Sequence, residues 1–76
     1  MRKITNNLIK ERLNKEIEQS GFKQIEIANM VNISKSTISD YKNSKKMPSL
    51  ETFANICLEL GLDANYVLGL RDFEDV

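Results

Sequence analysis

Apolar residues recur along this chain at helical spacing, in five separate blocks. In the first, from about Asn6 to Ser20, Ile9, Leu13 and Ile17 lie four residues apart and share one stripe, with Leu8 beside Ile9. Thr5 or Asn6 can cap its start. Gly21 suits the left-handed position just past its end. The second block is KQIEIANMV, in which Ile27, Ala28 and Val31 make one face. Ala28 is small enough to let a neighbouring helix approach closely. Asn32 suits a left-handed helix stop, and Ser34 is a good N-cap. Only Ile33 separates them, so the turn is about three residues long. Helices joined so tightly cross at a steep angle, as in a helix-turn-helix.

The third helix, Lys35–Asn43, turns Ile38 and Tyr41 inward, with Ile33 anchoring the turn before it. Lys35, Ser36, Ser39 and Asp40 fall on the other side. Residues 44–47 read as a loop. Pro48 and Ser49 announce a fourth helix, with Ser49 as its N-cap and Glu51 near the positive end of its dipole. Leu50, Phe53, Ile56, Cys57 and Leu60 predict its buried face, and Gly61 its stop. Asp63 can cap a short fifth helix within ANYVLGL, with Tyr66, Val67 and Leu70 packing back. Residues 71–76, RDFEDV, read as an acidic tail behind a single domain of residues 1–70.

Composition narrows the function classes. One domain of 76 residues has a marginal core unless its helices pack well or it dimerises. One proline and three glycines are too few for a loop-rich all-β fold. A lone cysteine, Cys57, and no histidine exclude an internal disulfide and any zinc site of familiar spacing. These features fit a reducing cytoplasm. The charged start MRKITNNLIKERL has no apolar stretch of the kind a signal peptide needs, and no run is long enough to span a membrane. Without histidine, a Gly-rich phosphate loop or a supported carboxylate pair, no enzyme is expected and no cofactor is called for. Net charge is zero, but residues 1–50 carry ten Lys/Arg against five Asp/Glu, whereas residues 51–76 carry one against six. A neutral chain so divided can still present a local positive face; the alternative is a solvated surface of mixed charge.

Gln24, Ile27 and Ala28, followed by Ile33 and the run SKSTISDYKNSKKMPSLETF, carry a likeness to a known family. From about Leu8 to Leu68 the chain resembles the Cro and phage-repressor class of helix-turn-helix DNA-binding domains. The resemblance implies an all-α, compact five-helix lambda-repressor-like domain whose second and third helices form the helix-turn-helix. It also implies that the third helix enters the major groove, which admits one α-helix.

The positions facing base edges would then be Lys35, Ser36, Ser39 and Asp40. Lys35 can donate to guanine N7 or O6, or else to a phosphate. Asp40 can accept from cytosine N4, or else pair with Lys42 or another lysine. The resemblance implies a phosphate contact from Gln24 at the start of the second helix. Thr37 is a further phosphate donor, and Lys42, Asn43, Lys45 and Lys46 would clamp the neighbouring strand; solubility is the alternative role for the lysines. Such contacts position the helix without reading sequence. Lys23 stands where the family often has Thr or Ser, which forfeits a side-chain cap worth on the order of 1 kcal/mol but adds a cation near the same phosphate. Asn32 and Ser44 stand where glycine is usual, and Ser44 tolerates that conformation less well. Cys57 reads as a small buried apolar group.

One short helix reads few base pairs, so a homodimer on a pseudo-palindromic double-stranded DNA site is expected. Leu58, Tyr66, Leu70 and Phe73 are its expected interface. The resemblance points to a transcriptional regulator, a repressor from a bacterium, phage or mobile element. The competing reading is an antitoxin-like module that covers a protein partner and binds DNA secondarily.

Overall fold

The computed structural model describes residues 3–71, which form five α-helices and no strand. They are α1 (Asn6–Gln19), α2 (Gln24–Val31), α3 (Lys35–Lys42), α4 (Leu50–Leu60) and α5 (Ala64–Val67). Four of them start at a short polar side chain that accepts from a backbone N–H three residues on. Thr5 Oγ1 takes Leu8 N–H, Ser34 Oγ takes Thr37, Ser49 Oγ takes Thr52 and Asp63 Oδ1 takes Tyr66, each at 3.2 Å. α2 is the exception. Its N-cap is Lys23, whose ammonium only donates. Glu26 compensates by turning back to accept from Lys23 N–H at 2.7 Å, which is one half of a capping box.

The helix ends follow a second local rule. Asn32 has φ +58°, and Ile33 N–H reaches back to Ala28 O at 3.0 Å. Ser44 has φ +61°, with Ser44 N–H donating to Tyr41 O at 3.1 Å and Lys45 N–H to Asp40 O at 2.8 Å. Gly61 has φ +68°, with Leu62 N–H on Cys57 O at 2.9 Å. These left-handed stops with backward bonds satisfy the otherwise unpaired last carbonyls.

α1 supplies Leu13 and Ile17 to the core, α2 Ile27 and Ala28, α3 Ile38 and Tyr41, α4 Phe53, Ile56 and Cys57, and α5 Tyr66 and Val67. Leu13, Ile27, Ile38, Ile56 and Val67 are fully buried, each worth about 1.5–3 kcal/mol. One of them, Ile38, outweighs any single surface ion pair, so the core rather than surface charge sets the roll of α3. α3 packs on both α1 and α2, α4 packs on α2, and α5 packs on α1.

Two positions, Leu50 and Leu70, depart from the hydrophobic pattern. Leu50 is 82% exposed, not buried. It sits at the first position of α4, on the i, i+4, i+8 stripe that continues to the exposed Ala54 and Leu58 rather than on the arc centred on Ile56. Leu70 is 67% exposed and does not pack back, because α5 ends at Val67 and the chain has already turned through Gly69. Tyr66, also expected at a dimer interface, packs back as the pattern predicts. It is 7% exposed and lies in the protomer's own core, with the Arg12 guanidinium 4.4 Å from its ring centroid. Phe73 and most of the acidic tail lie outside the described residues.

Arg12 ties the far end of the chain to α1. Its Nη1 donates to Tyr66 O at 2.7 Å and Arg71 O at 3.2 Å. Arg71 in turn pairs with Asp63. Between them Gly69, at φ +84°, lies so close to α1 that a Cβ there would come within 3.1 Å of Ile4 and Leu8 side chains.

Candidate nucleic-acid interface

The outward face of α3 is built from its own N-cap. Ser34 Oγ caps Thr37 N–H and also lies 2.8 Å from Thr37 Oγ1 and 3.1 Å from Ser36 Oγ. Lys35 and Ser36 are exposed, and Thr37, Ser39 and Asp40 are half-buried. Asn43 Nδ2 donates to Ser39 Oγ at 3.4 Å, one turn back. Lys46 Nζ lies 3.5 Å from Asp40 Oδ2. The face is therefore a set of short polar groups already partnered with one another. Each keeps spare capacity: a hydroxyl that accepts one bond can still donate, and a carboxylate has several lone-pair sites.

The positive groups surround this face. Lys42 is half-buried at the last position of α3, where a cation is favoured by the helix dipole. Asn43, Lys45 and Lys46 follow in the exposed loop. Lys35, Lys42 and Lys45 make no ion pair with the described residues. The local lysine that Asp40 meets is Lys46 rather than Lys42.

At the start of α2, Lys23 is exposed and Gln24 half-buried. Glu26 occupies the Lys23 N–H there. Its carboxylate also brings negative charge to the end of the helix where a phosphate is expected. Sequence reasoning passed over Glu26, although Glu at the third position of a helix with a poor N-cap is a readable signal. It also passed over Arg12, whose acceptors lie 54 and 59 residues away along the chain and leave no local trace.

Burial pushes the Tyr41 phenol above its ordinary pKa, with Lys46 opposing and Asp40 adding to the rise. Burial also pushes the Cys57 thiol up, which disfavours the reactive thiolate. Among the described residues no three His, Cys, Asp or Glu side chains gather as a metal site, and no helix is long and apolar enough to cross a membrane.

Of the residues expected at a dimer interface, Leu58 is 76% exposed and Leu70 67%. Leu50 joins them as an exposed apolar side chain on the Leu58 stripe.

Residues 10–72 match the model of a family described as a helix-turn-helix domain. No similar curated protein and no similar solved structure was found.

Proposed function

The chain belongs to the helix-turn-helix domain family, and on that premise we propose that it is a sequence-specific double-stranded DNA-binding regulator that represses transcription by occluding a promoter. The two-sidedness of α3 carries this reading. Ile38 is fully buried and Tyr41 is 6% exposed, while Lys35, Ser36, Ser39 and Asp40 occupy the opposite face. A helix so anchored can lie in a major groove with its polar side toward base edges. Lys35 is suited to guanine, Asp40 to cytosine N4, and the serines to either donors or acceptors. Lys23, Gln24, Thr37, Lys42, Asn43, Lys45 and Lys46 are suited to phosphates on either side. Binding of this kind needs no catalytic chemistry.

The regulator would act as a homodimer on a pseudo-palindromic site, with two copies of α3 presented about one DNA turn, roughly 34 Å, apart. Leu58 and Leu70 are exposed apolar groups fit for the contact. The same exposed leucines favour a second reading, an antitoxin-like module that covers a protein partner. Capture of one specific protein together with the absence of any retarded DNA band would favour that alternative.

Selection of bound duplexes from a random pool tests DNA binding, site symmetry and specificity together. A pseudo-palindromic consensus is expected. Lys45→Ala should then weaken every duplex and lower the slope of log K against log salt by about 0.9 per protomer. Ser36→Ala should instead change which sequence is preferred. Failure to retain any duplex, of any sequence, at low salt would refute the reading.

A further inference from the structure

The end of α3 folds the chain back on itself. Ser44 takes the left-handed conformation and Lys45 N–H bonds Asp40 O at 2.8 Å. This reversal carries Lys46 back along the helix, and its ammonium meets the Asp40 carboxylate at 3.5 Å. The pair therefore joins a residue placed to read bases with a residue placed to hold a phosphate. Each is the other's counter-ion in the free protein. Lys45, the next residue along, makes no ion pair with the described residues.

Those two roles cannot both be filled while the pair stays closed. A closed Lys46 is already neutralised and has little left for a phosphate. A closed Asp40 directs its charge to Lys46 rather than to a base. Opening the pair lets Lys46 pass to a phosphate, but it leaves a bare carboxylate in a groove of negative potential. That carboxylate is compensated where a base amino group donates to it, and cytosine N4 is the usual partner of a carboxylate in the major groove. With side-chain exposures of 62% and 31%, the pair is solvated enough to open without the penalty of a buried ion pair.

We propose that the Asp40–Lys46 pair is a sequence-gated latch, closed on arbitrary DNA and open on the preferred site. Opening transfers Lys46 to a backbone phosphate and Asp40 to cytosine. The latch rests on the DNA-binding reading above and deepens it. It makes Asp40 a brake on non-specific binding as well as a base reader, and it makes Lys46 a phosphate contact only where the sequence is right.

Salt titrations test this with two probes, a duplex selected from a random pool and a base-scrambled duplex of the same length. The variants are Lys45→Gln, Lys46→Gln and Asp40→Asn. Lys45→Gln should lower the salt slope by about 0.9 per protomer on both duplexes. Lys46→Gln should lower it by about that amount on the selected duplex; on the scrambled duplex, where Lys46 neutralises no phosphate, the slope should hold while binding weakens because Asp40 has lost its counter-ion. Asp40→Asn should raise the slope on the scrambled duplex by about 0.9 per protomer and tighten its binding by up to about fivefold. The latch is overturned if Lys46→Gln flattens both duplexes alike, or neither. It is equally overturned if Asp40→Asn leaves the scrambled slope where it was. A wild-type protein that holds no duplex at all overturns the DNA-binding reading itself, and that outcome is seen before any variant is compared.

Discussion

Replacing Ser44 with glycine should stabilise this protein, although it removes a side chain. Ser44 has φ +61°, where an L-residue with a Cβ pays about 1–2 kcal/mol in steric strain. Glycine removes that cost. It also loses more chain entropy on folding, which returns about 0.4–1 kcal/mol. The Ser44 hydroxyl makes no hydrogen bond to the described residues, so no partner is orphaned. The balance is a net gain of about 0.5–1 kcal/mol. Urea unfolding followed by circular dichroism measures it. A domain of this size has an m-value of about 1 kcal/mol/M, so the midpoint should rise by about 0.5–1 M. Asn32→Gly is the matched control. Asn32 has nearly the same φ, +58°, but Asn visits this region far more readily. Its midpoint should move by only a few tenths of a molar unit. An unchanged or lowered midpoint for Ser44→Gly would refute the reasoning. So would an Asn32→Gly gain as large as that of Ser44→Gly, since the difference between the two side chains is what the calculation rests on.

Three further outcomes are expected. Ile38→Ala, at a fully buried position, should cost about 2–5 kcal/mol; a midpoint close to wild type would mean that α3 is not held by this contact. Gly69→Ala should cost about 1–2 kcal/mol of stability and lower the midpoint accordingly, because φ is +84° and the new Cβ would lie 3.1 Å from Ile4 and Leu8 side chains; an unchanged midpoint would show that the C-terminal turn does not dock on α1. Stability should also fall on the alkaline side. Burial raises the Cys57 and Tyr41 pKa values above their unfolded ones, so their contribution is complete below the unfolded thiol pKa of about 8.5 and is lost as pH rises through the folded values. Urea midpoints across that range should decline, with the first part of the decline reduced in Cys57→Ala; a flat profile in wild type would count against burial of either group.

The helix boundaries were legible because their causes are local. Thr5, Ser34, Ser49 and Asp63 each cap an N–H three residues away. Asn32, Ser44 and Gly61 each end a helix through their own φ. The short turn between Asn32 and Ser34 is equally local, set by the left-handed Asn32 and the Ser34 cap two residues on. Even the Lys23 start, where the cap is missing, is repaired by a residue within the same turn. The polar face of α3 was legible for the same reason: once Ile38 and Tyr41 face inward, helical geometry settles where Lys35, Ser36, Ser39 and Asp40 point.

What the sequence could not decide depended on which element lies opposite a given position. Leu50 and Phe53 look alike in the hydrophobic pattern of α4, yet Phe53 is 8% exposed and Leu50 82%. Tyr66 reads equally well as core or as interface until Arg12 is found over its ring. Asp40 had more than one possible lysine, and the reversal of the backbone at Ser44 brought Lys46 to it. Periodicity gives the angle of a side chain around its own helix axis. It carries no information on what stands across from that angle, and that is set only when all the helices bury their apolar faces together.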